Sequence, residues 1–383
     1  MIPYGRQNIS QEDIDAVVEI LKSDFLTQGP MVPRFEQAVA AQVGAQRGVA
    51  VNSATSALHI ACAALDLGPG DLLWTSPITF VASANCARYL GADVDFVDID
   101  SDTFNMCPEA LAIKLEQAEA AGRLPKVIIP VHMCGQSTAT REIAELVRPY
   151  GIRIIEDASH AIGGRYLGKP VGSCSYSDIT IVSFHPVKII TTAEGGMALT
   201  NHVELADRME RLRSHGITRD PTQMTHPPDG PWYYQQIELG WNYRMTEMQA
   251  ALGISQLTRL NEFVERRQAL AARYDTLLAA HPLRRPGRLS DAYSAFHLYV
   301  VRLEDETRHR AVFEELRAAG VGVNLHYIPV HLQPYYRNLG YAVGDFPLAE
   351  DYYKRAISIP MYPDLLESEQ DLVIKSVGSA LMQ

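Results

Sequence analysis

Through its first 200 residues this chain alternates short β-rich runs with helical patterns, and that alternation constrains its fold more than any other feature. Apolar, β-branched runs at 48–52, 72–76, 93–98, 126–132, 152–157, 179–184 and 197–200 are separated by helical periodicity at 56–65, 81–90, 108–120 and 141–150. Strand–helix–strand spacing of this kind implies a largely parallel sheet covered by helices on both faces. Gly91, Gly122 and Gly151 follow three of the helical segments as natural stops. A further helix is expected in the lead-in, where Ser10 and Asp13 make a capping-box start and Ile14, Val17, Val18 and Leu21 recur at helical spacing.

From Thr246 the pattern becomes one long amphipathic stretch through Ala280, ended by Pro282, Pro286 and Gly287. A second, smaller α+β unit is expected beyond it. Its strands are predicted at 297–303 and 322–327, and its helices at 308–319, at 348–357 and from Glu369. The boundary between the units is drawn at 245/246, giving a large domain over 1–245 and a small one over 246–383. Residues 217–240 carry four prolines and the Trp232-Tyr233-Tyr234 cluster, which reads as a substrate-facing or partner-facing loop.

Two units suit a length of 383 residues, since a single core seldom grows so large. Acidic residues outnumber basic ones 45 to 34, and a formal charge of −11 argues against a protein that grips nucleic acid through its phosphates. No apolar run approaches a membrane span and the N-terminus has no signal organisation, so a cytoplasmic protein is expected. Five scattered cysteines without a CxxC pair give neither a disulfide framework nor a zinc site.

Three segments carry chemistry. Lys188 lies among Val187, Ile189 and Ile190 directly after a predicted strand, where desolvation lowers an amine pKa toward the range useful for Schiff-base chemistry. Taken alone, a lysine snorkelling from a strand edge explains it as well. Asp157 closes another strand, three residues before His160. At that end of a parallel strand a buried carboxylate can hold a pyridine nitrogen protonated, while capping of the next helix and metal ligation with His160 are the rival uses. Ser53, Ala54, Thr55 and Ser56 run from a strand into an apolar helix, and such an N-terminus binds phosphate, although ordinary Ser/Thr capping gives the same pattern. Ser183, at the end of the strand before Lys188, adds a donor. Together these describe a pyridoxal 5′-phosphate site.

The segments Ser183-Phe184-His185-Pro186-Val187-Lys188, Thr191-Thr192-Ala193-Glu194-Gly195-Gly196 and Glu156-Asp157-Ala158-Ser159-His160-Ala161 resemble the sugar aminotransferases of the DegT/DnrJ/EryC1 family, and the likeness runs over nearly the whole chain. The resemblance implies an α/β type I, aspartate-aminotransferase-like fold with a large mixed-sheet cofactor domain, and a homodimer with shared sites. It implies that Lys188 joins the cofactor covalently, that Asp157 pairs with the ring nitrogen and that His160 lies near the ring hydroxyl. Phe80 is then the aromatic stacked on the ring, Ala54, Thr55 and Ser183 are phosphate contacts, and Asn242 is supplied to the phosphate by the neighbouring subunit. Within the family, His185 and the loop after Lys188 look like members that aminate carbon 4 of a UDP-linked 4-keto-6-deoxy sugar with L-glutamate as donor. Tyr4, Thr27, Gln28, His185, His326 and Tyr327 are the residues expected to hold that sugar. A non-catalytic sensor built on the same fold is the reading from another class; the retained Lys188 and the lack of a basic tail count against it.

Overall fold

The computed structural model describes residues 1–382, so that Gln383, the end of the second expected unit, lies outside the described residues. Its centre is a seven-stranded sheet: β1 (Arg47–Val51), β2 (Leu72–Thr75), β3 (Asp93–Phe96), β4 (Val127–Ile129), β5 (Arg153–Asp157), β6 (Ile179–Ser183) and β7 (Gly196–Thr200). The spatial order is β1-β7-β6-β5-β4-β2-β3. All neighbours are parallel except β7, which runs antiparallel to both β1 and β6, pairing Gly196 with Val51 on one side and with Ser183 on the other. The sheet is therefore mixed, and the carboxyl ends of β1, β5 and β6 lie along one edge.

Alternation along the strands shows why both faces are covered. Val49, Val51, Ile155 and Ile181 belong to one core with helices α3 (Ala54–Ala64), α4 (Ala82–Tyr89) and α7 (Val203–Leu212). Their neighbours Ala50 and Val182 pack the other way, against α2 (Met31–Val43) and α8 (Glu247–Leu257), while Trp74, Ile128 and Ile154 pack against α5 (Pro108–Ala120) and α6 (Thr140–Val147). Successive strand side chains point to opposite faces, so one strand feeds two cores.

The lead-in helix α1 (Gln11–Leu21) has its Ser10–Asp13 capping box, but its apolar stripe does not enter a core. Ile14, Val18 and Leu21 are exposed, whereas the Asp13 carboxylate is buried and receives Gln256 Nε2 at 2.6 Å and Arg259 Nη2 at 2.5 Å. The stretch expected as one helix over 246–280 is two, α8 and α9 (Leu260–Leu277), with a break at Thr258–Arg259, beside which Gln256 and Arg259 reach back to Asp13 and Asn8. Helix α9 then joins two cores: Leu260, Phe263 and Val264 pack with α2, and Leu270, Ala271 and Tyr274 pack under the C-terminal sheet.

That second sheet is antiparallel, in the order β8 (Leu283–Arg284), β9 (Tyr299–Leu303), β10 (Ala356–Ile359), with α10 (His309–Ala318) and α12 (Glu367–Met382) packed on it. Two expectations fail here. The helix predicted over 348–357 stops as α11 (Pro347–Arg355), and Ala356 starts β10. Residues 322–327 form no strand: Gly322 N–H bonds Ile2 O and Asn324 pairs with Ser358, so its backbone is satisfied by two partners that are far apart in sequence. The chain start is thereby stitched to the C-terminal unit, since Ile2 N–H bonds Gly320 O and Met361 N–H bonds Tyr4 O.

Candidate active site

The shared carboxyl edge of β1, β5 and β6 opens into a cavity of about 530 Å³. Asp157, the last residue of β5, is buried in its wall. Its two oxygens are held apart: Ser83 Oγ donates to Oδ2 at 2.6 Å, and the Ser159 N–H donates to Oδ1 at 3.1 Å. Ser83 is itself paired with Thr79 Oγ1 at 2.8 Å.

Lys188 sits in a loop whose two ends are tied together. Phe184 N–H bonds Gly195 O, Thr192 N–H bonds Phe184 O, and Thr191 Oγ1 donates to Phe184 O at 3.0 Å. Phe184, Ile189 and Ile190 are buried anchors, and Phe184 packs on Phe35 with ring centroids 5.0 Å apart. Lys188 is left lining the cavity with no carboxylate within ion-pair distance among the described residues. Burial pulls its amine down to about 8, against an upward pull from Asp157. On the far side of this loop Ala193 adopts φ +64°, a backbone region that favours glycine.

The N-terminus of α3 forms a third wall. Ser53 caps it, its hydroxyl accepting from the Ser56 N–H at 3.1 Å, and Ser53, Ala54 and Thr55 line the cavity with Ser183. Gly196 is required beside it, because a Cβ there would collide with the backbone of Ser53 and Ala54.

The fourth wall is basic and aromatic. His160 Nε2 lies 3.2 Å from Tyr327 Oη, and the His160 ring is 4.4 Å from that of His297. His326 is fixed by Ser358 Oγ, 2.8 Å from its Nδ1. Burial, reinforced by Lys188, lowers His326 to about 4 and takes His160 and His297 well below the ordinary imidazole range. All three imidazoles are therefore neutral at physiological pH, burial lowers the half-exposed His185 as well, and among the described residues Lys188 is the one lysine or arginine that lines the cavity.

Twelve of the residues singled out from sequence thus meet in one cavity. Lys188, Asp157, His160 and Ser183 come from the β5 and β6 ends, and Ser53, Ala54, Thr55 and Phe80 from the α3 and α4 starts. Tyr4, His185, His326 and Tyr327 complete it, with the Tyr4 ring 5.3 Å from that of His326. Three residues stand outside. Thr27 and Gln28 are exposed on a turn bridged to Thr246, and Asn242 is exposed beside Ser214. The 217–240 segment is a short hairpin, Ile217–Thr218 against Gln235–Gln236, that displays Trp232 at 73% exposure and does not reach the cavity of its own chain. Sequence reasoning passed over Ser83, His297 and Glu194. The first two carry no local signal, whereas Glu194 stood in the loop already singled out and lies 4.0 Å from His185.

An amine, a carboxylate braced by two donors and a helix N-terminus at separate walls fit the aldehyde, ring nitrogen and phosphate of pyridoxal phosphate. The buried His160 Nδ1, without a partner, shows that this wall keeps unspent hydrogen-bonding capacity. A mixed seven-stranded sheet with this site at its carboxyl edge defines a type I pyridoxal-phosphate aminotransferase. The chain belongs to the DegT/DnrJ/EryC1/StrS aminotransferase family, whose profile matches residues 7–378. It is 39% identical to the Bacillus subtilis spore coat polysaccharide biosynthesis protein SpsC over 98% of this chain and 96% of SpsC. It is 38% identical to a Campylobacter jejuni UDP-4-amino-4,6-dideoxy-N-acetyl-beta-L-altrosamine transaminase over 100% of this chain and 98% of that one. Among solved structures, Helicobacter pylori PseC, an aminotransferase involved in the biosynthesis of pseudoaminic acid, superposes with a TM-score of 0.91 at 29% identity, covering 100% of this chain and 99% of PseC. Spr1654 of Streptococcus pneumoniae, assigned as a sugar aminotransferase and solved in its PMP form, matches with the same TM-score, identity and coverage. The protein is a sugar aminotransferase whose cofactor is pyridoxal 5′-phosphate. No helix among the described residues is long and apolar enough to cross a membrane.

Proposed function

We propose that this enzyme transfers the amino group of L-glutamate to the carbon-4 ketone of a UDP-linked 4-keto-6-deoxy-N-acetylhexosamine of L-arabino configuration, as a step of pseudaminic acid biosynthesis. The observation that carries the chemistry is the convergence of Lys188, Asp157 and the α3 N-terminus on one cavity. The choice of sugar rests on the full-length 38% identity to the altrosamine transaminase and on His185 in the lysine loop.

The bound cofactor supplies an electron sink for the carbon that loses or gains a proton. Lys188 would supply the amine that holds the cofactor's aldehyde carbon, and the same amine would be the base that takes and returns the proton at the substrate carbon. Its lowered pKa leaves a useful fraction of the amine unprotonated near neutral pH. Asp157 accepts the ring N–H, with its orientation fixed by Ser83 and Ser159. Phe80 covers the ring, and Ser53, Ala54, Thr55 and Ser183 take the phosphate. His185 and Glu194 stand at the mouth, where the sugar enters.

In this reading the active form is a homodimer in the cytoplasm. Glutamate and a UDP-sugar bring several negative charges, yet among the described residues no arginine lines the cavity. A second copy placing Asn242, the 217–240 hairpin and the Thr27–Gln28 turn over the opening completes the site, and the exposed stripe Ile14, Val18, Leu21, with Phe25 and Leu26, is an apolar face for it. The match to SpsC, named for spore coat polysaccharide biosynthesis, favours a second reading in which the same chemistry acts on a different sugar. The alternative is a carbon-4 aminotransferase for another UDP-sugar.

Two measurements test the proposal. The purified protein is offered the L-arabino and D-xylo 4-keto sugars with glutamate, and turnover of the D-xylo sugar alone overturns the substrate. The visible band of the holoenzyme should bleach on adding glutamate, and a band that still bleaches in Lys188→Ala removes Lys188 from its role.

A further inference from the structure

The hydroxyl of Tyr327 and Nε2 of His160 lie 3.2 Å apart, with the two rings inclined by only 26°. This is the one side-chain hydrogen bond that either residue makes among the described residues, and it joins the end of β5 to a segment 167 residues later. The segment is held firmly: Tyr352 Oη donates to His326 O at 2.5 Å, His326 is bonded to Ser358, and the Val330 N–H bonds Pro77 O. Tyr327 also faces Phe80, with ring centroids 6.1 Å apart, so its hydroxyl lies beside the place assigned to the cofactor ring.

Two neutral groups share this contact. Burial pushes the Tyr327 phenol upward, so it keeps its proton, and His160 is uncharged. Each therefore has one hydrogen to give. Within the pair one of the two donates to the other, which leaves a donor unspent. An acceptor oxygen placed against a pair this close receives both hydrogen bonds at ordinary length, about 2.8 Å.

We propose that Tyr327 is a cofactor-binding residue: its O–H donates, beside the His160 Nε2–H, to the hydroxyl oxygen of the pyridine ring. This rests on the assignment of the cavity to pyridoxal phosphate and adds a contact from the C-terminal half of the chain. Two donors on that oxygen favour its anionic form, and so make the bound cofactor more acidic than one donor does. The other titratable groups around the pair are Lys188, Asp157 and Cys134 on the sheet side and Tyr4, His297 and His326 opposite. Arg267 stands behind His297. None of these changes in the variants below.

The test is a pH titration of the visible band of the full-length enzyme loaded with pyridoxal phosphate, without donor or sugar, in wild type, Tyr327→Phe, His160→Asn and the double variant. Phenylalanine keeps the ring and its packing, and melting of the cofactor-free proteins confirms the fold. Tyr327→Phe should raise the midpoint by roughly half a pH unit or more, the effect of losing a charge-assisted hydrogen bond, and should do so again in the His160→Asn background. An unmoved midpoint overturns the proposal. So does a shift that vanishes when His160 is absent, because Tyr327 would then act only by orienting the imidazole. Failure of the cofactor assignment looks different, as no visible band forms in any of the four proteins, and an error in the sugar leaves this titration untouched.

Discussion

Ser83, in the first turn of α4, donates its hydroxyl to Asp157 Oδ2 at 2.6 Å, so the carboxylate proposed to meet the cofactor's ring nitrogen is aimed by a side chain 74 positions earlier. Both groups are buried, where such a bond is strengthened and its loss is not made good by water. Ser83→Ala should lower kcat by about tenfold or more, in line with roughly 1.5–3 kcal/mol for a hydrogen bond to a charged group, and should lower the melting temperature by a few degrees. Steady-state rates at saturating cofactor check this, and an unaltered kcat refutes it.

Lys188 makes the cofactor-free protein sensitive to alkali in an unusual direction. Its folded pKa, about 8, is below the ordinary lysine value, so between pH 8 and about 10.5 the unfolded chain binds more protons than the folded one. Stability must rise through that window and level off above it, and the charged amine costs the fold on the order of 3 kcal/mol at neutral pH. Lys188→Met should melt higher than wild type at pH 7, and the gap should close toward pH 10. A constant gap across the range contradicts the assignment.

Gly196 opens β7 against the backbone of Ser53 and Ala54. Gly196→Ala should force β7 and the start of α3 apart at the wall proposed for the phosphate, weakening pyridoxal phosphate at least about tenfold and destabilising the protein by roughly 1–3 kcal/mol. Fluorescence titration of the cofactor and thermal melts measure the two effects; wild-type affinity would show that the wall yields without harm.

Ala193 holds a positive φ in the loop after Lys188. A left-handed alanine costs roughly 1–2 kcal/mol, of which about half is offset by the greater freedom that glycine has in the unfolded chain. Ala193→Gly should therefore stabilise by roughly 0.5–1 kcal/mol, raising the melting temperature by about 1–3 °C, with activity retained. A lower melting temperature would mean that neighbouring contacts, not the backbone, set this position.

The strands and most helices of the large sheet were legible because each buried strand is a nearly continuous apolar run and each crossover has its own period and stop. Lys188 and Asp157 were legible because polar residues at the ends of such runs are conspicuous. Helix α2 was hidden by Pro33 in its first turn, where proline is tolerated, although Val32, Phe35, Val39 and Val43 follow helical spacing. Residues 322–327 look like a strand by composition, and only the distant partners Ile2 and Ser358 decide otherwise. The Ser83–Asp157 and Tyr327–His160 contacts lie beyond any local pattern, since each joins segments that meet only once the sheet has closed.

Strand β7 is the sole neighbour of β1 in the sheet and follows directly on the lysine loop. Within the sheet, β1, which leads into the start of α3, and β6, which leads into Lys188, are therefore joined through that one strand. A change that shifts β7 moves two walls of the cavity together, so a substitution along it acts at both ends of the site at once.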